Sequence, residues 1–150
     1  MSRIMTSVER ERFLADLHVG VISIPEEGNG PLTIPIWYGY TPGGEVYFMT
    51  AVRSRKARLL KAGERISLCV QIEQRPYRYV SVEGPVTSIG PVDLERDARP
   101  LYRRYLGVEA GDAHIAAAAQ KITGGDELVF RMRPERWLSG DYTPEPAGGE

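Results

Sequence analysis

The chain has 150 residues, with 19 Lys and Arg against 20 Asp and Glu and 42% hydrophobic residues. That is enough for one domain with a real core, and a net charge of −1 excludes the strongly basic domain of a general nucleic-acid binder. A single cysteine, Cys69, excludes an internal disulfide and any Cys-based zinc site and fits a reducing cytoplasm, while charged residues from Arg3 to Arg12 leave no room for a signal-peptide core. No apolar run is long enough to span a bilayer, so a cytoplasmic protein off the membrane is expected.

Thr6-Ser7-Val8-Glu9 has capping-box spacing, and Phe13, Leu14 and Leu17 supply an apolar stripe, which predicts a short first helix. From His18 the pattern changes: Val19, Val21, Ile22 and Ile24 read as a strand, ended by Pro25 and the turn Glu27-Gly28-Asn29-Gly30. Leu32 to Tyr40 reads as a second strand and Val46 to Thr50 as a third, joined by the hairpin signal Thr41-Pro42-Gly43-Gly44.

Ser54, a preferred N-cap residue, then opens a helix whose start carries Arg53, Arg55, Lys56 and Arg58. Cations at a helix N-terminus are unfavourable by roughly a few tenths of a kcal/mol each. An anion resolves the conflict, because free N–H groups and converging Lys and Arg side chains suit a phosphate or carboxylate. The alternative is a solvated basic face with Leu59 and Leu60 turned to the core.

Gly63 reads as the residue that ends this helix, and Ile66 to Ile72 as the next strand. Tyr77 to Ile89 reads as a long strand, with a bend or bulge at Gly84-Pro85. Asp93 to Leu106 is an amphipathic helix with Leu94, Leu101, Tyr102, Tyr105 and Leu106 inward. After an interruption from Gly107 to Gly111, Asp112 caps a second helix running to Lys121. Glu127 to Arg133 is the last predicted strand, and a Pro/Gly/Glu-rich tail, 143–150, is expected to be mobile. About six strands joined mostly by hairpin-length turns predict a mainly β (α+β) fold: an antiparallel barrel with peripheral helices, in one domain over 1–142.

No Walker A loop, G-x-G-x-x-G after the first strand, H-E-x-x-H or G-x-S-x-G occurs. His18 and His114 read as structural or exposed, no metal site is expected, and Cys69 reads as a small buried hydrophobe. No acid, base or nucleophile stands out, which points to chemistry supplied by a bound cofactor.

The runs T-I-P-I-W-Y-G-Y, G-E-V-Y-F-M-T, S-R-K-A-R-L-L and P-Y-R-Y-V-S-V-E-G-P-V, in this order and spacing, resemble the pyridoxamine 5′-phosphate oxidase-like superfamily of flavin- and deazaflavin-binding split β-barrels. The likeness covers Glu9 to Arg133 and is closest to the short actinobacterial F-420-dependent reductases. It implies a homodimer with two cofactors in the grooves between subunits. By position, Thr50, Ser54, Arg55, Lys56 and Arg58 would lie at the cofactor's phosphate, and Pro35, Ile36 and Trp37 beside its ring. Tyr77 and Tyr79, from the same or the partner subunit, and Trp137 would flank the groove, with core filling as the alternative for Trp37 and Trp137.

Two departures matter. Leu59 stands where the family usually has Asn, and the Arg-x-His element of true pyridoxamine phosphate oxidases is missing, since no histidine follows His114; vitamin B6 oxidation is not expected. The resemblance therefore implies an F-420- or FMN-dependent oxidoreductase acting on a small conjugated or planar substrate. The alternatives are a non-catalytic binder of flavin, deazaflavin or haem with the same fold, and a cofactor-free dimer whose basic helix meets an acidic partner.

Overall fold

A computed structural model describes residues 2–147. The chain order is α1 (Ser7–Ala15), β1 (Gly20–Ile24), β2 (Leu32–Ile36), β3 (Val46–Ala51), α2 (Arg55–Leu59), β4 (Arg65–Ile72), β5 (Arg78–Pro91), α3 (Arg99–Leu106), α4 (Val108–Lys121), β6 (Glu127–Met132) and β7 (Arg136–Asp141). Wide π-type turns, Leu94–Ala98 and Ile122–Asp126, lead into α3 and out of α4.

All pairings are antiparallel, in the order β2-β1-β4-β5-β6-β3, with β7 added to β5. The two ends of this path, β2 and β3, meet again at a single rung, where Gly39 and Tyr47 exchange backbone bonds of 2.9 and 3.0 Å. Beyond that rung they separate, so the curled sheet is a split barrel, closed at one end of the seam and open at the other.

Alternation builds the core. Ile22 and Ile24 of β1, Leu68 and Val70 of β4, Val80 and Val82 of β5, and Phe48 and Phe130 point into the barrel and are buried. A second core of Val92, Ala98, Ile115, Ile122 and Val129 lies beneath α3 and α4, outside the barrel. Strand β6 serves both, with Phe130 facing one core and Val129 the other.

Strand β5 belongs to both halves of the barrel, pairing with β4 up to Pro85 and with β6 from Val86. The bend comes at the predicted Gly84-Pro85, and the bulge itself lies just after it, between Val86 and Ser88. Gly84 is required by close approach: a Cβ there would come within 1.7 Å of the Arg133 carbonyl oxygen.

Thr6 and Glu9 form the predicted capping box, but α1 ends at Ala15, so Leu17 is left 61% exposed. The second strand stops at Ile36 rather than Tyr40. Gly63 does not end α2, whose cap is Leu60; it sits at φ +86° in the turn into β4 and donates to Val86 O at 2.8 Å.

Gly107 alone, at φ +87°, separates α3 from α4, and Leu106 beside it is exposed. Asp112 lies inside α4, where it accepts from both Arg99 and Arg103, rather than capping it. Gly111 lets α4 meet α3, since a Cβ there would lie 2.9 Å from Arg103 Cα. Cys69 faces the outside of β4 and is half-buried, because the inward positions there belong to Leu68 and Val70.

The sheet has a seventh strand, β7, which places Trp137 opposite Val82 instead of in an irregular C-terminal segment. Of the tail expected to be mobile, Thr143 is tied to Asp141 by bonds of 2.5 and 2.8 Å, and residues 148–150 lie outside the described range.

Candidate functional site

Pro35, Ile36, Trp37 and Thr50 of the sequence-predicted site residues lie along the two sides of the open seam between β2 and β3, and Ser54 to Arg58 follow directly after β3. Continuing the register set by Gly39 and Tyr47 brings Trp37 opposite Met49, Ile36 opposite Thr50 and Pro35 opposite Ala51, although no ladder forms there. Strand β3 then runs into α2. The buried Thr50 hydroxyl lies 2.9 Å from the Ser54 hydroxyl, and Ser54 Oγ accepts from Ala57 N at 3.1 Å, the predicted N-cap bond.

Helix α2 spans only Arg55–Leu59, so its first and last turns coincide and Lys56 and Arg58 sit as much at its C-terminal end as at its N-terminus. The expected clash between these cations and a helix dipole therefore has little strength, because too few peptide units are aligned. The charge itself remains. Arg53, Arg55, Lys56, Arg58 and Lys61 lie within nine positions, and among the described residues only Arg55 has a carboxylate partner, Glu26 at 2.5 Å. Glu26 belongs to the β1–β2 turn, and its side chain is 19% exposed against 56% for Arg55. Sequence reasoning missed it, since nothing local links positions 29 apart.

Trp37 is held from the side opposite the seam. Its indole stacks on Tyr105 of α3, with ring centroids 4.7 Å apart and planes 2° apart, while 37% of the residue remains exposed. One ring face is thus taken by Tyr105, and Tyr102 meets the indole edge to face at 6.3 Å. Tyr105 was predicted only as a buried helix residue. Its hydroxyl instead stands where β1 and β2 part, accepting from Tyr38 N at 3.1 Å and donating to His18 O at 2.6 Å.

Tyr77, Tyr79 and Trp137 do not join this cluster within one chain. Leu128 pairs with both Thr50 and Pro91, so Thr50 lies level with the last residue of β5, whereas Tyr79 is near its start and Trp137 pairs with Val82 in its first half. At about 3.3 Å per residue, Tyr79 and Pro91 are roughly 40 Å apart along the strand. Trp137 instead lines a cavity of about 740 Å³ with Glu11, Tyr40, Glu45, Arg131 and Arg133, and the Arg10 guanidinium lies 4.7 Å over its ring. Burial, with the Glu11 carboxylate beside it, pushes the Tyr40 hydroxyl up to about 12.

His18 Nε2 lies 2.9 Å from Phe13 O, and burial holds its pKa below the usual histidine value. The His114 ring lies 4.2 Å from that of Tyr102, tilted by 36°. Among the described residues no group of three or more His, Cys, Asp or Glu is placed to hold a metal, and no helix is long and apolar enough to cross a membrane.

A curled antiparallel sheet left open along one seam, with helices packed outside it, is a split β-barrel. The match to the pyridoxamine 5′-phosphate oxidase family model covers residues 6–137, and the chain belongs to that family. No curated protein matches its sequence. A conserved hypothetical protein of Mycobacterium tuberculosis is 21% identical with a TM-score of 0.75, over 97% of this chain and 93% of that one. An F420 reductase is 19% identical with a TM-score of 0.59, over 85% and 94%. A FAD and haem binding protein of Mycobacterium smegmatis is 15% identical with a TM-score of 0.69, over 96% and 75%. At these identities the likeness defines the fold.

Proposed function

We propose that the chain is an oxidoreductase whose coenzyme, F-420 or FMN, lies in the seam between β2 and β3 with its phosphate at α2. The observation that carries this is the set of cations without carboxylate partners among the described residues, Lys56 and Arg58 above all, beside the paired hydroxyls of Thr50 and Ser54. Hydroxyls that donate and cations that neutralise are the donor set a phosphate takes. Pro35, Ile36 and Trp37 would flank the ring, and the bound coenzyme would supply hydride transfer to or from a small conjugated or planar substrate. F-420 is favoured over FMN by the sequence resemblance, and the exposed Arg53 and Lys61 suit its acidic tail.

The working unit would be a homodimer. Across the outer face of the sheet, Pro35, Val21, Cys69, Ser81 and Leu138 follow one another strand by strand, and Leu138 is 63% exposed. A second copy covering this apolar row could bring its own Tyr77 and Tyr79 to the seam, which their position in one chain does not allow.

The test is fluorescence-quenching titration with F-420 and with FMN, on the native protein and on Lys56→Ala. Binding at micromolar level or tighter, lost in the variant, supports the site; binding of neither coenzyme sinks the proposal. A second reading, a binder without turnover, is suggested by the neighbour named for FAD and haem binding. It would be favoured if bound, reduced coenzyme were never reoxidised by a panel of enones and quinones.

A further inference from the structure

Resting on the coenzyme reading above, we infer that Glu26 is a built-in competitor for the coenzyme's phosphate at Arg55. Five cations crowd this segment, and Glu26 neutralises one of them, Arg55, through a single contact between Nη2 and Oε2 of 2.5 Å.

The two partners differ in burial. The Glu26 carboxylate is sunk in the β1–β2 turn, whose backbone is closed by a 3.2 Å bond from Asn29 N to Glu26 O, while most of the Arg55 side chain faces solvent. A guanidinium has five N–H donors, and this pair uses one. The other donors of the fork have no carboxylate partner among the described residues, and neither do Lys56 and Arg58.

An arriving anion therefore meets an arginine already half-satisfied. A dianionic phosphate can outbid one carboxylate for the fork, because it carries more charge and more acceptor oxygens. Glu26 thus lowers the affinity of the site for every anion that recruits Arg55, by the cost of opening one partly exposed ion pair. Its place in the fold supports this role, since the Glu26–Arg55 contact ties the β1–β2 turn directly to the first residue of α2.

The experiment compares native protein, Glu26→Gln, Arg55→Gln and the double variant in titrations with FMN, F-420, riboflavin and inorganic phosphate. Phosphate binding is read from the NMR signal of the Arg55 side-chain Nε–H. Glu26→Gln should tighten FMN and F-420 about two- to fivefold, the range for freeing one partly exposed ion pair. Riboflavin, which has no phosphate, should be unaffected, and Arg55→Gln should remove the gain.

Equal FMN affinity in native and Glu26→Gln protein would overturn the role of Glu26 while leaving the coenzyme site intact. Tighter inorganic phosphate binding in Glu26→Gln, with no coenzyme bound by any variant, would uphold Glu26 and overturn the coenzyme reading. An equal gain for riboflavin would also overturn the competitor role, because it would signal a rearranged turn rather than a freed guanidinium.

Discussion

The indole of Trp37 lies flat against the phenol of Tyr105, with ring centroids 4.7 Å apart and planes 2° apart. This contact joins the edge strand of the barrel to a helix 68 positions later in the chain, and the same tyrosine's hydroxyl fills the gap between Tyr38 and His18. Tyr105→Phe keeps the stack and removes the bridge, leaving a strand N–H and a carbonyl without that partner. It should cost about 1–3 kcal/mol in urea unfolding. A smaller loss than Tyr105→Ala but a clear one is the expected order; no loss would mean the hydroxyl is replaceable by water.

Asp97 fastens the helical layer to the barrel. Its side chain is almost fully buried, yet it accepts from Arg131 at 2.5 Å, from Arg96 at 3.1 Å and from its own turn's Asp93 N at 3.0 Å. Burial alone would raise its pKa, but the bonds from Arg96, Asp93 and Arg131 outweigh it and hold the carboxyl below its ordinary value. The stabilisation is therefore complete above about pH 4 and fades as pH falls through the lowered folded-state pKa. Asp97→Asn should cost on the order of 3 kcal/mol at neutral pH. Its deficit relative to native protein should shrink in acid, which denaturant titrations at pH 7 and pH 3 would measure.

Gly84 has no room for any side chain, because the obstacle is a backbone oxygen of Arg133. Gly84→Ala should force β5 and β6 apart and lower the melting temperature by roughly 10 °C or more, on the order of 3 kcal/mol. An alanine variant melting within a degree or two of native would show that the bend relaxes more easily than its geometry implies.

Leu138→Arg should leave the fold intact and prevent self-association, since the residue is outward and exposed. Sedimentation velocity should then give a monomer, and coenzyme affinity should fall with it if a second copy supplies part of the site. A native protein that sediments as a monomer ends the dimer proposal.

Lys56→Ala and Arg58→Ala should each weaken FMN or F-420 by about tenfold or more, and the binding should weaken as salt rises. Retention of full affinity in both variants would falsify the α2 phosphate site.

Much of the barrel could be read from the chain because its strands announce themselves locally. Alternation in β1 and β4, the turns at Gly28 and Gly43, and the Thr6–Glu9 capping box all reappear in the structure. What escaped was non-local. Arg136 to Asp141 has Leu138 outward and Trp137, Ser139 and Asp141 on the barrel side, so its alternation announces no apolar face and only its pairing with β5 makes it a strand. Asp112 looked like a cap because Gly107 and Gly111 flank it, whereas Gly111 marks a helix crossing. In the candidate site, Ser54 was legible from its N-cap chemistry and the basic cluster from its charge. Glu26 and Tyr105 act across 29 and 68 positions, distances at which a sequence carries no local signal.

Backbone groups along β2 alternate between neighbours: those of Tyr38 turn toward β1, and those of Gly39 bond Tyr47 of β3. Counting back from Gly39, Pro35 turns its backbone toward the unzipped seam, where an unoccupied edge would invite a foreign strand to dock. Proline has no N–H to offer such a visitor. Pro35 is thus a guard against runaway strand addition, letting the barrel keep an unpaired edge without becoming a template for fibrils.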